Sequence, residues 1–152
     1  MLKQTSNNTM LTRDTLENYE KAHQIEWANE LPEGCPPAEI LIPSGDVFFR
    51  LIYDAEQISE DDFKPYLELY PDKHYDGYQK VKASGLSVFD TIPDASLRRL
   101  PNMKKFKGVA KLVLTAEDGV LMKSGPNEHH YTWWRSKTFD ISTATIIKNE
   151  NA

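Results

Sequence analysis

The chain has 152 residues, 39% hydrophobic and 27% charged, with a formal net charge of −5. That is enough for one domain with a real core, and the balance is ordinary for a soluble globular protein. No run reaches the roughly 20 apolar residues of a bilayer-crossing helix, the polar stretch 1–10 lacks the apolar core of a signal peptide, and a single cysteine, Cys35, rules out an internal disulfide.

These features predict a cytoplasmic protein with no membrane partner. In chain order, Thr12 is placed to cap a helix running to about Glu30, with Leu16, Tyr19, His23 and Trp27 on one face. The segment 31–37 holds three prolines and a glycine, which end any helix. Residues 46–53 read as a strand, with Val47, Phe49, Leu51 and Tyr53 on one face and Phe48, Arg50 and Ile52 on the other. Asp61 or Asp62 can cap a short helix with a buried stripe of Phe63, Tyr66, Leu67 and Tyr70. A helix is expected around 75–83, weakened by Gly77 and closed by Gly85. A short strand follows at 86–89, then a turn or two of helix at 93–100. Residues 108–115 and 120–123 form a hairpin around Glu117-Asp118-Gly119, and 132–134 and 139–147 read as the last strands.

The sum is a single α+β domain: a mostly antiparallel sheet in the C-terminal half, short helices, and an appended N-terminal helix. Its expected divisions are 1–37 for the helix and Pro-rich linker, 38–147 for the domain, and 148–152 for a tail.

Charge is divided along the chain. Residues 1–78 carry 6 Lys/Arg and 16 Asp/Glu, whereas 79–137 carry 11 and 5, a local excess of +6. Inside that basic region lies His129-His130-Tyr131-Thr132-Trp133-Trp134-Arg135. Neighbouring strand residues face opposite ways, so His129 and His130 converge on one ligand only if they sit in a loop, which Gly125-Pro126-Asn127-Glu128 makes feasible. Either imidazole is a candidate general acid or base, with Arg135 stabilising a developing anion. The plain alternative is one structural histidine and one exposed one.

Of Trp133 and Trp134, alternation sends one into the core and leaves the other to stack on a base or a partner, with Tyr131 beside them. Arg98, Arg99, Lys104, Lys105, Lys107 and Lys111 suit a phosphate track, unless the acidic half of the same molecule neutralises them. Asp72, His74 and Asp76 alternate as ligands might, but no paired-ligand motif accompanies them, so no metal site is expected. Ser87, in Gly85-Leu86-Ser87-Val88-Phe89, does not complete a Gly-x-Ser-x-Gly elbow. No P-loop, Rossmann glycine pattern or zinc-protease helix occurs, and no cofactor is implied.

Ser84-Gly85-Leu86-Ser87-Val88-Phe89 with the late His-His and Trp-Trp pairs resembles small uncharacterised bacterial proteins over roughly residues 38–137. That resemblance implies a self-contained domain and no activity. More loosely, Arg50 on a strand followed by a helix and the Gly85-Leu86 step is similar to ADP-ribosyltransferase-like folds, which would make Arg50 catalytic. That family also uses a late glutamate, and here Glu117 falls in a predicted turn and Glu128 beside the histidines.

Three functions follow as expectations. The first is a binding protein whose 98–137 region engages RNA, DNA or a nucleotide, with Lys104, Lys105, Lys107 and Arg135 on phosphates and Trp133 or Trp134 stacking. The second is an enzyme acting on a phosphoester or nucleotide through His129 or His130. The third is an immunity- or antitoxin-like module whose acidic stretch (Asp54, Glu56, Glu60, Asp61, Asp62, Glu68, Asp72, Asp76) meets a basic protein.

Overall fold

Eight antiparallel strands form one curled sheet, in which 12–15, 39–42, 119–123, 130–135, 86–89, 46–52, 108–114 and 145–146 lie side by side in that order. The computed structural model describes residues 11–94, 96 and 100–148. Its elements are β1 (Thr12–Thr15), α1 (Leu16–His23), β2 (Glu39–Ile42), β3 (Asp46–Ile52), a 3-10 turn (Glu60–Phe63), α2 (Tyr66–Leu69) and α3 (Gly77–Ala83). There follow β4 (Leu86–Phe89), a 3-10 turn (Pro101–Met103), β5 (Gly108–Leu114), β6 (Gly119–Lys123), β7 (His130–Arg135), a 3-10 turn (Ile141–Thr143) and β8 (Thr145–Ile146). The chain is thus an α+β domain, and no helix among the described residues is long and apolar enough to cross a membrane.

The sheet is apolar on both faces, and alternation decides which residue goes where. On one face Phe48, Leu86, Val88, Leu112, Leu121, Tyr131 and Trp133 pack with Phe63 and Phe139. On the other, Ile40, Val120 and Trp134 lie beneath Tyr19 of α1 and Val81 of α3, while Leu51, Phe89 and Val109 form a second cluster with Met103 and Phe106. Both faces are therefore covered at β7, which corrects the expectation of one outward indole. Trp133 is fully buried and Trp134 is 1% exposed. Trp133 donates through Nε1 to the Asp118 carbonyl (3.0 Å), and Trp134 through Nε1 to Ser84 Oγ (2.9 Å).

The N-terminal segment enters the sheet instead of forming one long helix. Residues 12–15 pair with 39–42 as strand β1, and Thr15, not Thr12, caps α1 by accepting from the Asn18 N–H. Gln24 then closes the helix in the left-handed region at φ 51°, so Trp27 lies outside it and bridges to Ser136.

The stripe predicted at 63–70 is also corrected. A capping box between Ser59 and Asp62 opens one 3-10 turn with Phe63 buried, and the extended Lys64–Pro65 step that follows resets the helical phase. Tyr66 and Tyr70 consequently face out, 36% and 45% exposed. Asp62 is buried and accepts from the Ser59 and Tyr53 N–H groups, so it is absent from the acidic surface on which the other seven carboxylates lie exposed. The last predicted strand reduces to Thr145–Ile146, and half of the helix expected at 93–100 (95 and 97–99) lies outside the described residues. The predicted hairpin is corrected too: β5 and β6 flank the Glu117-Asp118-Gly119 turn but do not pair, β5 lying between β3 and β8 and β6 between β2 and β7.

Gly85 occupies the position after α3 where a side chain would collide with the Thr132 methyl and approach the Trp133 carbonyl. This close passage lays α3 across β7, and it fixes β4 against β7 in the register Leu86–Trp133, Ser87–Thr132, Val88–Tyr131, Phe89–His130.

Candidate functional site

The ladder between β3 and β4 consists of the single pair Phe49–Phe89. Beyond it, Arg50–Ile52 and Leu86–Ser87 are not joined to one another, and a cavity of about 90 Å³ opens between them. Its lining includes Arg50, Lys64, Lys82, Ser87, His130 and Phe106, and no acidic side chain among the described residues. Alternation puts Arg50 on the Phe48 face and Ser87 and His130 on the opposite face. They meet only because the ladder is open here.

Arg50 spans the gap. Its Nε donates to the Asp62 carbonyl (2.6 Å) and its Nη1 to the Ser87 carbonyl (2.8 Å), replacing a missing ladder bond. The residue is 9% exposed, and burial pulls its pKa below the usual guanidinium value. Both partners are neutral carbonyls, and no carboxylate among the described residues reaches ion-pair distance. A buried charge is expensive unless compensated, and the nearby Asp62 carboxylate compensates this one in part through its field. Lys82, with its ammonium 4.9 Å from the Tyr78 ring centre, likewise pairs with no described carboxylate, whereas Lys64 pairs with Asp61 at 2.9 Å.

His130 on β7 lies diagonally opposite Ser87 on β4, the spacing at which side chains on one sheet face touch. His130 Nε2 stands 2.9 Å from Ser87 Oγ, and Nδ1 stands 2.9 Å from the Ser124 carbonyl and 3.0 Å from its hydroxyl. With Nδ1–H donating to the carbonyl, Nε2 is left to accept from the Ser87 hydroxyl. Burial pulls the His130 pKa below the usual imidazole value, the bond to Ser124 opposes this, and the Lys82 charge adds to the depression.

The folded state therefore resists a proton that the unfolded chain accepts near pH 6.5. Its contribution to stability is complete above that pH and is lost as pH falls through the folded value. In paired urea titrations between pH 7 and 5, the wild type should lose more stability than His130→Asn; parallel slopes would refute this.

His129 does not join it. Its Nδ1 pairs with Asp90 (2.8 Å) and its Nε2 lies 3.5 Å from Glu128, while the Tyr131 hydroxyl also reaches Asp90 (3.4 Å). The two histidines diverge because β7 begins at His130, which corrects the shared-ligand expectation. Tyr131 is buried against Phe48.

Arg135 is corrected as well. Its guanidinium carbon sits 5.8 Å from both the Phe63 and Phe139 ring centres, and Nη2 donates to the Phe139 carbonyl (3.3 Å). It packs on the core rings and lines a cavity with Lys64, Lys137 and Glu60, apart from the cleft between β3 and β4, with its Nε buried and without a hydrogen-bond partner among the described residues.

Lys104, Lys105 and Lys107 are exposed, and none pairs with a described carboxylate, so the acidic half does not neutralise them by direct ion pairs. Arg98 and Arg99 lie outside the described residues. Lys105 rests over Tyr66 (5.0 Å), Phe106 (5.3 Å) and Tyr70 (5.6 Å). Burial opposes its charge, but the phenols of Tyr66, Tyr70 and Tyr53 outweigh that and raise its pKa. Tyr66, Tyr70, Asp72, Lys73 and Lys105 line an open groove of about 670 Å³ that shares Tyr66 with the cavity.

His74 pairs only with Asp76 (2.6 Å), and no three potential metal ligands gather among the described residues. Sequence reasoning missed Ser87, Lys82, Lys64, Tyr66 and Tyr70 as site residues. For Ser87 the available signal was alternation, since it is the polar, exposed residue between buried Leu86 and Val88.

No protein-family model, curated protein or solved structure matches the chain.

Proposed function

We propose that this protein binds a small phosphate-bearing ligand, a nucleotide in the first instance, in the cleft between β3 and β4. The supporting observation is the Arg50 guanidinium, nine-tenths buried, bonded only to backbone carbonyls, and opening with Lys82 on a cavity without an acidic lining. An anion there adds charge-assisted hydrogen bonds to the partial compensation that the Asp62 carboxylate gives the guanidinium through its field. The exposed Tyr66 and Tyr70 rings, flanked by Lys105, offer a shelf for a planar group leaving the cleft. The cavity's size favours one phosphate group over a nucleic-acid strand, while Lys104 and Lys107 can extend the positive field outside it. A cytoplasmic setting suits such a ligand, and Cys35 is unpaired.

Calorimetric titration with inorganic phosphate and with a nucleoside monophosphate tests this. Saturable one-to-one binding is expected, stabilising the fold by about 2.7 kcal/mol at a hundredfold excess over Kd. Its salt dependence should be shallow, reflecting two or three charges and not the steep slope of a polyelectrolyte track. Absence of binding by both ligands at millimolar concentration would refute the proposal.

A further inference from the structure

The hydroxyl of Ser87 is exposed, lines the Arg50 cavity, and touches a histidine whose other nitrogen is held by a backbone carbonyl. A nucleophile, a base and a group orienting that base are thus aligned, the arrangement by which an unreactive hydroxyl is activated. The backbone carbonyl of the same serine accepts from the Arg50 guanidinium, and both residues line the one cavity. Burial disposes His130 to be neutral, the form that can accept the hydroxyl proton.

We propose that Ser87 and His130 are catalytic residues that hydrolyse a phosphomonoester through a phosphoserine intermediate, an inference that rests on the phosphate-binding reading of the cleft. Ser87 Oγ forms a bond to phosphorus as His130 Nε2 takes its proton. The ester P–O bond breaks, and the imidazolium returns that proton to the departing alcohol. Water then attacks the phosphoserine, His130 accepts the water proton, the Ser87 P–O bond breaks, and the proton restores the hydroxyl as inorganic phosphate leaves. Arg50 and Lys82 hold the charge on the phosphoryl oxygens, the electrostatic part of such transfers. Planar alcohols, nucleosides among them, fit the Tyr66–Tyr70 shelf as leaving groups.

The test uses the full chain with p-nitrophenyl phosphate and a nucleoside monophosphate, following alcohol release, calorimetric binding of inorganic phosphate, and the mass of acid-quenched protein. The wild type should release alcohol and carry a phosphoryl group on Ser87. Ser87→Ala should do neither while still binding phosphate. His130→Gln should lose roughly 10²–10⁴ in rate, and with it the wild type's rise in rate with pH.

A wild type that binds phosphate yet releases no alcohol, or a Ser87→Ala variant that retains turnover, overturns the catalytic inference and leaves the binding site standing. Absence of phosphate binding removes both. Ser87→Ala guards against misfolding, because it deletes one exposed hydroxyl.

Discussion

Replacing Trp133 with alanine should cost about 3–5 kcal/mol, a large part of the roughly 5–15 kcal/mol that holds a domain of this size together. The indole sits on β7 between β6 and β4, opposite Leu121 and Leu86. It meets Phe139 and Phe63 edge-on, with ring centres 5.0 and 6.3 Å away. Alanine would leave a cavity that Gly119 cannot help close. Its φ of 124° suits glycine alone, and a side chain there would strike the Trp134 carbonyl. Trp133→Phe should cost less, since it keeps part of the volume and loses the bond to Asp118. Urea unfolding measures both. A loss below about 1 kcal/mol for the alanine variant, well short of that cost, together with weakened phosphate binding, would contradict the structural role assigned to this indole.

Arg50→Gln is expected to weaken phosphate binding about 10- to 150-fold, the worth of one hydrogen bond between charged partners at roughly 1.5–3 kcal/mol. Its effect on stability should be much smaller. Glutamine keeps an amide donor for the Asp62 or Ser87 carbonyl, and removing a buried guanidinium relieves the desolvation that lowers its pKa. Lys82→Gln should weaken binding less, because Lys82 is only partly buried and acts more through its field. Calorimetry and urea unfolding on the same samples separate the two quantities. An Arg50→Gln protein that binds phosphate as the wild type does would remove Arg50 from the site.

Strands β3 to β7 are legible in the sequence because alternation and turn residues act locally, but the hairpin expected of β5 and β6 does not form, since β5 pairs with β3 and β8 and β6 with β2 and β7. What depends on register is not legible. Alternation places Trp133 and Trp134 on opposite faces, but it does not reveal that α1 and α3 cover one face while Phe63 and Phe139 cover the other. The N-terminal helix was overextended because Thr12 and Thr15 are equally good caps, and the choice between them is made by pairing with residues 39–42. Tyr66 and Tyr70 looked like a buried stripe because helical spacing was carried across Lys64–Pro65, where the backbone is extended.

Within the site, His130 and Arg50 were named from the sequence for unrelated reasons. Only the open ladder between β3 and β4 brings them to one cleft. Ser87 carries no nucleophile signal in the sequence because it does not complete a Gly-x-Ser-x-Gly elbow. Here its partner lies 43 positions away, across a strand pair.

The site stands or falls on whether an anion docks against the buried guanidinium. ¹⁵N spectra of the arginine Nε–H groups, recorded while inorganic phosphate is added, observe that event at the atoms concerned. The Arg50 signal, identified by its loss in Arg50→Gln, should shift along a saturable curve matching the calorimetric Kd. An unmoved Arg50 signal, with changes confined to the backbone around Lys104 and Lys107, would place any phosphate on the open surface and contradict the cleft.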